Sequence, residues 1–220
     1  MILGLDTATH ATAVAVLPDH GEPVELHHDP APGERPGHAA ELLPLARRAL
    51  EAVGATFADV RRIGVGVGPG TFTGLRIGVA TARARAQATG AELAAVSTLE
   101  ALAAAAGAER SVLAVIDARR GEAFAAGYRG GQRLAGPVAL PPDDLAALAD
   151  PAFGPWLAVG DGAVRFRDRL EPAVDVPVDA STLHRVSALA VCRLARTALS
   201  VDRDALLPEY VRAPDAVPRR

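Results

Sequence analysis

Gly64-Val65-Gly66-Val67-Gly68-Pro69-Gly70-Thr71-Phe72-Thr73-Gly74-Leu75-Arg76-Ile77-Gly78 is a glycine-rich turn between an apolar strand and an Ala-rich helix. It has the composition of a phosphate cradle but not the spacing. A P-loop needs Gly, four residues, Gly, then a Lys that reaches the outer phosphates, and none of the 220 residues is Lys. Gly66, Gly68 and Gly70 fall two apart, and Gly74 arrives one residue too late for the three-glycine dinucleotide fingerprint. Two readings follow. The turn's N–H groups and the start of the Arg76 helix, with its guanidinium, suit an anion; or glycines 64, 66 and 68 leave one strand face bare for a close neighbour.

Outward from this turn, one pattern is written twice. Ile2 to Asp6 reads as a buried strand ending in a carboxylate, followed by a turn at residues 7–10 and strands over 12–17 and 24–27. Val112 to Ile116 is again an apolar strand, ending in Asp117, with strands over 122–128 and 133–140 around Gly130-Gly131. Each such meander needs helices to cover its faces. The apolar stripe Leu42, Leu45, Ala46, Ala49, Leu50 and Val53 predicts a helix over 36–53, in which Pro44 should cause a kink unless regular helix begins near it. Strands are expected at 63–67 and 93–96, a helix over 76–89 stopped by Gly90, and another opened by the capping box Ser97-Thr98-Leu99-Glu100. The second half continues with a helix near 143–148, a strand at 156–160, and helices near 163–170 and 187–199. Strands alternating with helices behind a meander in each half describe an α/β protein with the actin-like (ribonuclease H-like) duplicated fold. Its two lobes, 1–105 and 106–220, each hold a mixed sheet flanked by helices, and the last helix is free to pack back on the first lobe.

Composition narrows the chemistry. At 50% hydrophobic residues the chain can bury a large core, and a net charge of −3 gives no overall basic field for gripping nucleic acid unaided. Without Lys, Schiff-base chemistry and a lysine phosphate clamp are excluded. Cys192, the one cysteine, sits in an apolar helical run and reads as core. An acidic residue at position 6 interrupts any secretory h-region, and no uncharged apolar stretch reaches membrane-spanning length, so a cytoplasmic protein with no membrane contact is expected.

Asp6 and Asp117, at the ends of the leading strands, are the first candidates for handling metal-bound phosphates, with Asp161-Gly162 third. The alternative is that both cap hairpin turns. Thr7 and Thr9 offer hydroxyls, but no glycine there lets the backbone approach a phosphate closely. Histidines 10, 20, 27, 28, 38 and 184 lack metal-ligand spacing, so no metal is expected, and His27-His28 reads as a solvated loop pair. The helix Ile77 to Ala88 is lined with Ala and suits a partner seam or the core of its own lobe.

These residues carry a family resemblance. Leu5-Asp6-Thr7-Ala8-Thr9, His38 through Leu43-Pro44, Gly68-Pro69-Gly70-Thr71-Phe72-Thr73-Gly74-Leu75-Arg76-Ile77-Gly78, Val96-Ser97-Thr98-Leu99 and Ile116-Asp117-Ala118-Arg119 with Gly121-Glu122 resemble the TsaB (YeaZ) family, and Pro208-Glu209-Tyr210-Val211-Arg212 matches more weakly. The family-motif loop comprises Gly68, Pro69, Gly70, Phe72, Thr73, Gly74 and Arg76. The resemblance implies a noncatalytic dimerisation subunit that binds the catalytic paralogue TsaD, joined by a TsaE-like ATPase, for threonylcarbamoyl transfer to adenosine in tRNA. The paralogue's paired metal histidines fall near Thr98 and Leu102, which cannot ligate a catalytic metal.

It also implies a partner interface on the first-lobe helices, with His38, Leu42, Leu45, Ala46, Ala49, Val79, Ala82, Arg83 and Ala86. Ala82→Glu and Ala86→Glu should then abolish pairing without unfolding the chain. No catalytic residue and no resident cofactor are expected; ATP and magnesium are expected only at an interface, with residual contacts at Asp6, Thr7, Asp117 and Arg76. A homodimer through the same helices is compatible with the sequence, and tRNA is reached through the complex, with Arg83-Ala84-Arg85, residues 165–169 and Arg219-Arg220 as contributing patches. The rival reading is an actin-like ATP-dependent phosphotransferase using Asp6 and Asp117; metallopeptidase activity has no histidine pair behind it.

Overall fold

The computed structural model describes residues 1–31 and 33–212. The first half builds β1 (Ile2–Asp6), β2 (Thr12–Leu17), β3 (Val24–His28), β4 (Arg62–Gly68) and β5 (Glu92–Ser97) into a sheet of order β3-β2-β1-β4-β5. The second builds β6 (Ser111–Arg119), β7 (Glu122–Arg129), β8 (Gln132–Leu140) and β9 (Trp156–Val159) into β8-β7-β6-β9. In each, three antiparallel strands are followed by one that joins parallel to the leading strand, β4 beside β1 and β9 beside β6. The two mixed sheets are therefore copies in order and sense.

Side-chain alternation along β1 sets the layers. Leu3 and Leu5, with Val14, Val16, Ile63 and Val65, pack against Leu42, Leu45 and Ala49 of α1 (His38–Ala52) and Val79 and Ala82 of α2 (Phe72–Thr89). Gly4, Gly64, Ala13 and Ala15 make the opposite face nearly bare, and α6 (Ala188–Thr197) lies on it. A Cβ on Gly4 would fall 2.4 Å from the Ala188 carbonyl oxygen and 2.6 Å from Cys192 Sγ, and one on Gly64 2.6 Å from Ala195 Cβ. A helix from the second half thus covers the first sheet. The exchange is mutual, because α3 (Thr98–Ala105) packs on β6 and β7, with Leu99 and Leu102 meeting Val112, Ala114 and Ile116. Leu113 and Val115 point away, to Trp156, Leu145 and Leu170 beneath α4 (Asp161–Arg165), α5 (Arg167–Leu170) and the 3₁₀ segment Pro142–Leu148.

Beyond α6 the chain doubles back as a strap over residues 201–212. Val201 N–H donates to the Leu93 carbonyl at 2.9 Å, Leu206 is buried in the α1/α2 core, and Glu209 N–H donates to the Val67 carbonyl at 2.7 Å. Arg212 crosses to the second lobe, donating to the Ala118 carbonyl at 3.3 Å and pairing with Glu122.

Several boundaries differ from the sequence pattern. Helix α1 starts at His38 and runs without interruption through Pro44, which lies on its exposed side. Helix α2 starts at Phe72 rather than Arg76, so Phe72, Thr73 and Gly74 form its first turn. The helix expected over 163–170 is split at Phe166, whose φ of −110° and ψ of 27° leave the helical region. Residues 143–148 are 3₁₀, and His27 and His28 belong to β3, where His27 Nε2 lies 3.3 Å from the Val186 carbonyl oxygen.

Candidate functional site

Asp6 ends β1 with no exposed surface. Its Oδ1 accepts from Ala8 N–H at 2.9 Å and its Oδ2 from the Thr98 hydroxyl at 3.4 Å. Burial outweighs these bonds and raises the carboxyl to about 6. The glycine-rich turn closes over this corner. Thr71 N–H donates to the Ala8 carbonyl at 2.7 Å, and the Thr7 hydroxyl to the Gly74 carbonyl at 2.7 Å. A Cβ on Gly66 would fall 1.8 Å from Asp6 Oδ2, on Gly70 2.4 Å from the Ala8 carbonyl oxygen, and on Gly74 1.9 Å from the Thr7 carbonyl oxygen. Backbone that could approach a phosphate lies instead against the chain's own 7–8 turn.

Asp117 repeats the device in the second lobe. Its Oδ1 accepts from Arg119 N–H at 2.8 Å, the same two-residue step as Asp6 to Ala8. Its Oδ2 lies 3.1 Å from both Arg119 Nη1 and Arg165 Nη1, and its own N–H donates to Asp161 Oδ1 at 3.1 Å. Asp161 is raised to about 6, mainly by burial and further by the Asp117 charge. Arg119 and Arg120 hold φ of 62° and 56°, an uncommon left-handed pair, at the tip of this hairpin. Asp6 is enclosed, Asp117 is held by two guanidiniums, and among the described residues no group of three His, Cys, Asp or Glu side chains is placed to hold a metal.

The seam residues need a correction. His38, Leu42, Leu45, Ala46, Ala49, Val79, Ala82 and Ala86 are all buried within the chain, against its own first sheet, and Arg83 alone of the nine reaches the surface. His38 Nδ1 lies 2.8 Å from the Thr12 hydroxyl. Ala82→Glu and Ala86→Glu would therefore strike the core rather than a surface. What α1 exposes is Ala39, Ala40, Leu43, Pro44, Arg47 and Arg48; α2 exposes Phe72, Thr73, Arg76, Ala80, Ala84, Gln87 and Ala88. Arg76 is engaged, its Cζ 3.5 Å from the Phe72 ring centroid and its Nε donating to the Tyr210 hydroxyl at 3.1 Å. Cys192 is buried and its thiol pushed up to about 12, chiefly by burial. Arg167 and Arg169 pair with Glu171, Asp179 and Asp143, while Arg219-Arg220 lies outside the described residues. Sequence reasoning missed the strap as part of this region; its one signal was the stretch from Pro208 to Arg212.

Two mixed sheets of matching order, each led by a hairpin with an aspartate at the same turn, define the actin-like ATPase fold. The ethanolamine utilization protein EutJ from Carboxydothermus hydrogenoformans shares it at 16% identity and a TM-score of 0.50, over 86% of this chain and 89% of that one. Two structures from Pseudomonas aeruginosa are far nearer. One is an uncharacterized protein with similarity to peptidase YeaZ, 33% identical over 96% of this chain and 99% of that chain, with a TM-score of 0.79. YeaZ itself is 32% identical over 95% and 98%, also with a TM-score of 0.79. The family model for TsaD, tRNA N6-adenosine threonylcarbamoyltransferase, matches residues 34–157. Among curated proteins none matches. The chain belongs to the TsaB (YeaZ) family, a tRNA-modification family.

Proposed function

We propose that this chain is a noncatalytic scaffold subunit in the cytoplasm that binds a TsaD-type catalytic paralogue. In this role it supports threonylcarbamoyl transfer to the adenosine next to the anticodon in tRNAs reading ANN codons. The observation that supports this best is the contrast between the two regions described above. The aspartates that would handle phosphates are satisfied by the chain's own groups, while α1 and α2 leave Leu43, Pro44, Phe72, Ala80 and Ala84 exposed. The partner surface is the outer side of these two helices. No resident cofactor is required; ATP and magnesium enter at an interface, with a TsaE-like ATPase completing the assembly and tRNA reached through it.

The test is light scattering with size exclusion on this chain mixed with the catalytic paralogue at micromolar concentration. The wild type should elute as a heteromer. Leu43→Glu and Ala84→Glu, on exposed side chains, should prevent it while leaving the melting temperature unchanged. Two unshifted wild-type peaks would reject the scaffold reading. Binding heat with ATP and magnesium that vanishes in Asp6→Ala would favour a phosphotransferase instead.

A further inference from the structure

We propose that the corner where β2, β3 and α1 meet is a latch that acid releases, freeing the first turn of α1 and with it part of the paralogue-binding surface; the link to the paralogue rests on the scaffold reading. Three imidazoles gather there from three segments: His10 from the turn before β2, His28 from the end of β3, and His38 from the first position of α1. Strand alternation turns His28, opposite Thr12 in the ladder, toward α1, and sends Glu25 and His27 to the other face, where they meet residues 186–189. His38 is 3% exposed. Its Nδ1 lies 2.8 Å from the Thr12 hydroxyl, while its Nε2 and the Nδ1 of His28 are buried without a hydrogen-bond partner.

A charge is costly at this position. His38 stands at the N-terminus of α1, where the helix dipole repels a cation, and Gly37 brings no side chain to cap the helix. Burial and the Thr12 bond therefore hold the first turn in place of a cap. Burial also holds His38 below its ordinary 6.5; the Thr9 backbone works against this, and charge on His10 or His28 adds to it. The carboxylate at the corner is Glu41, which flanks Gly37 together with His28: a Cβ on Gly37 would fall 3.3 Å from Glu41 Cγ and 3.8 Å from His28 Cε1. Glu34 is turned to the Ala31 N–H at 3.2 Å, Asp29 pairs with Arg185, and Arg35 is exposed. Release of the turn lets the His38 ring meet water and take its proton, so acid favours the open form. Ala39, Ala40 and, a turn on, Leu43 leave the partner face with it. A histidine that is neutral in the docked turn and ordinary in the open one increases opening by up to about tenfold between pH 7.5 and 5.5.

Hydrogen exchange of the full chain at these two pH values, corrected for the intrinsic rate, reads the opening directly. Protection over residues 40–43, where the Ala40 and Glu41 amides bond back to the Gly37 carbonyl, should fall by up to about tenfold with acid. Helix α2 is the reference and should not follow, and the fall should vanish in His38→Gln. If His38→Gln fails to fold, the double variant His10→Gln/His28→Gln, at less buried positions, removes the charges that oppose the His38 proton and should shrink the fall. A loss of protection equal in α1 and α2, or one unchanged in these variants, overturns the latch. So does protection raised by zinc ions at pH 7.5 in the wild type but not in His28→Gln, which assigns the imidazoles to a metal. Calorimetry with the catalytic paralogue reads the link: binding should weaken with acid by up to about tenfold in the wild type and hold steady in His38→Gln. The same pH dependence in both overturns the link. Absence of binding at either pH rejects the scaffold reading, and the exchange measurement still decides the latch.

Discussion

At Asp6 the fold buries a carboxyl against a hydroxyl and one N–H; at Asp117 two guanidiniums stand beside one N–H. Asp6 and Asp161, both raised to about 6, bind protons in the folded chain that the unfolded chain releases near the ordinary carboxylate value of 3.8. Their neutral forms therefore stabilise the fold as pH drops through 6 toward 4, and the gain is lost as pH rises. His38 acts oppositely. Burial lowers it from 6.5, so its contribution is present above that value and is lost as pH falls below it. Asp6→Asn keeps the acceptor for Ala8 N–H and removes the charge. It should raise stability at pH 7.5 by up to about 2 kcal/mol and erase its share of the gain between pH 7.5 and 5, as read by denaturant melts at both values. A loss of stability at pH 7.5 would show that the charged form is the one the fold holds. The position of each aspartate was legible from the end of an apolar strand. The pairing of Asp117 with Arg165 was not, since 48 residues separate them and no local pattern links them.

Helix α2 carries Ala at 80, 82, 84, 86 and 88, and this explains why its buried side could not be read from the chain. With nearly the same small side chain on every face, periodicity carries no contrast, and only the first sheet decides that Ala82 and Ala86 turn inward and Ala80 and Ala84 outward. Helix α1, with leucines on one stripe, was legible in register; its inward side was misassigned to a partner because a buried core stripe and a docking stripe look alike in sequence. The bare strand face at Gly64 was read correctly as a seat for a close neighbour, and α6 is that neighbour. Gly4→Ala should accordingly lift α6 from the sheet. With backbone oxygen at 2.4 Å there is no flexible end to yield, so a cost of about 3 kcal/mol is expected, a fall in melting temperature of about 6–12 °C for a chain of this size. Adding Cys192→Ala should recover part of it, as Ala188 remains in the way. A Gly4→Ala melt within about 2 °C of wild type would mean that α6 sits farther out.

Across the whole molecule the duplication was visible in the repeated strand-aspartate-hairpin unit, and the last helix was expected to be able to pack back on the first lobe, where α6 lies. Which strands it meets, and the crossing of α3 to the second sheet, left no trace in local pattern. The exchange predicts that a fragment of residues 1–105 will not fold alone, because the face of its sheet at Gly4 and Gly64 has lost its cover, and that mixing with residues 106–220 restores native circular dichroism and a cooperative melt. A 1–105 fragment with a cooperative melt of its own would show that α6 is dispensable to the first lobe. The same crossing has a temporal side. On the ribosome the first sheet has all its strands once residue 97 is made, yet its covering helix comes only after residue 187. At about 5–20 residues per second that interval is on the order of 5–20 s, during which nascent chains carry a sheet with one face uncovered and depend on being kept apart from one another.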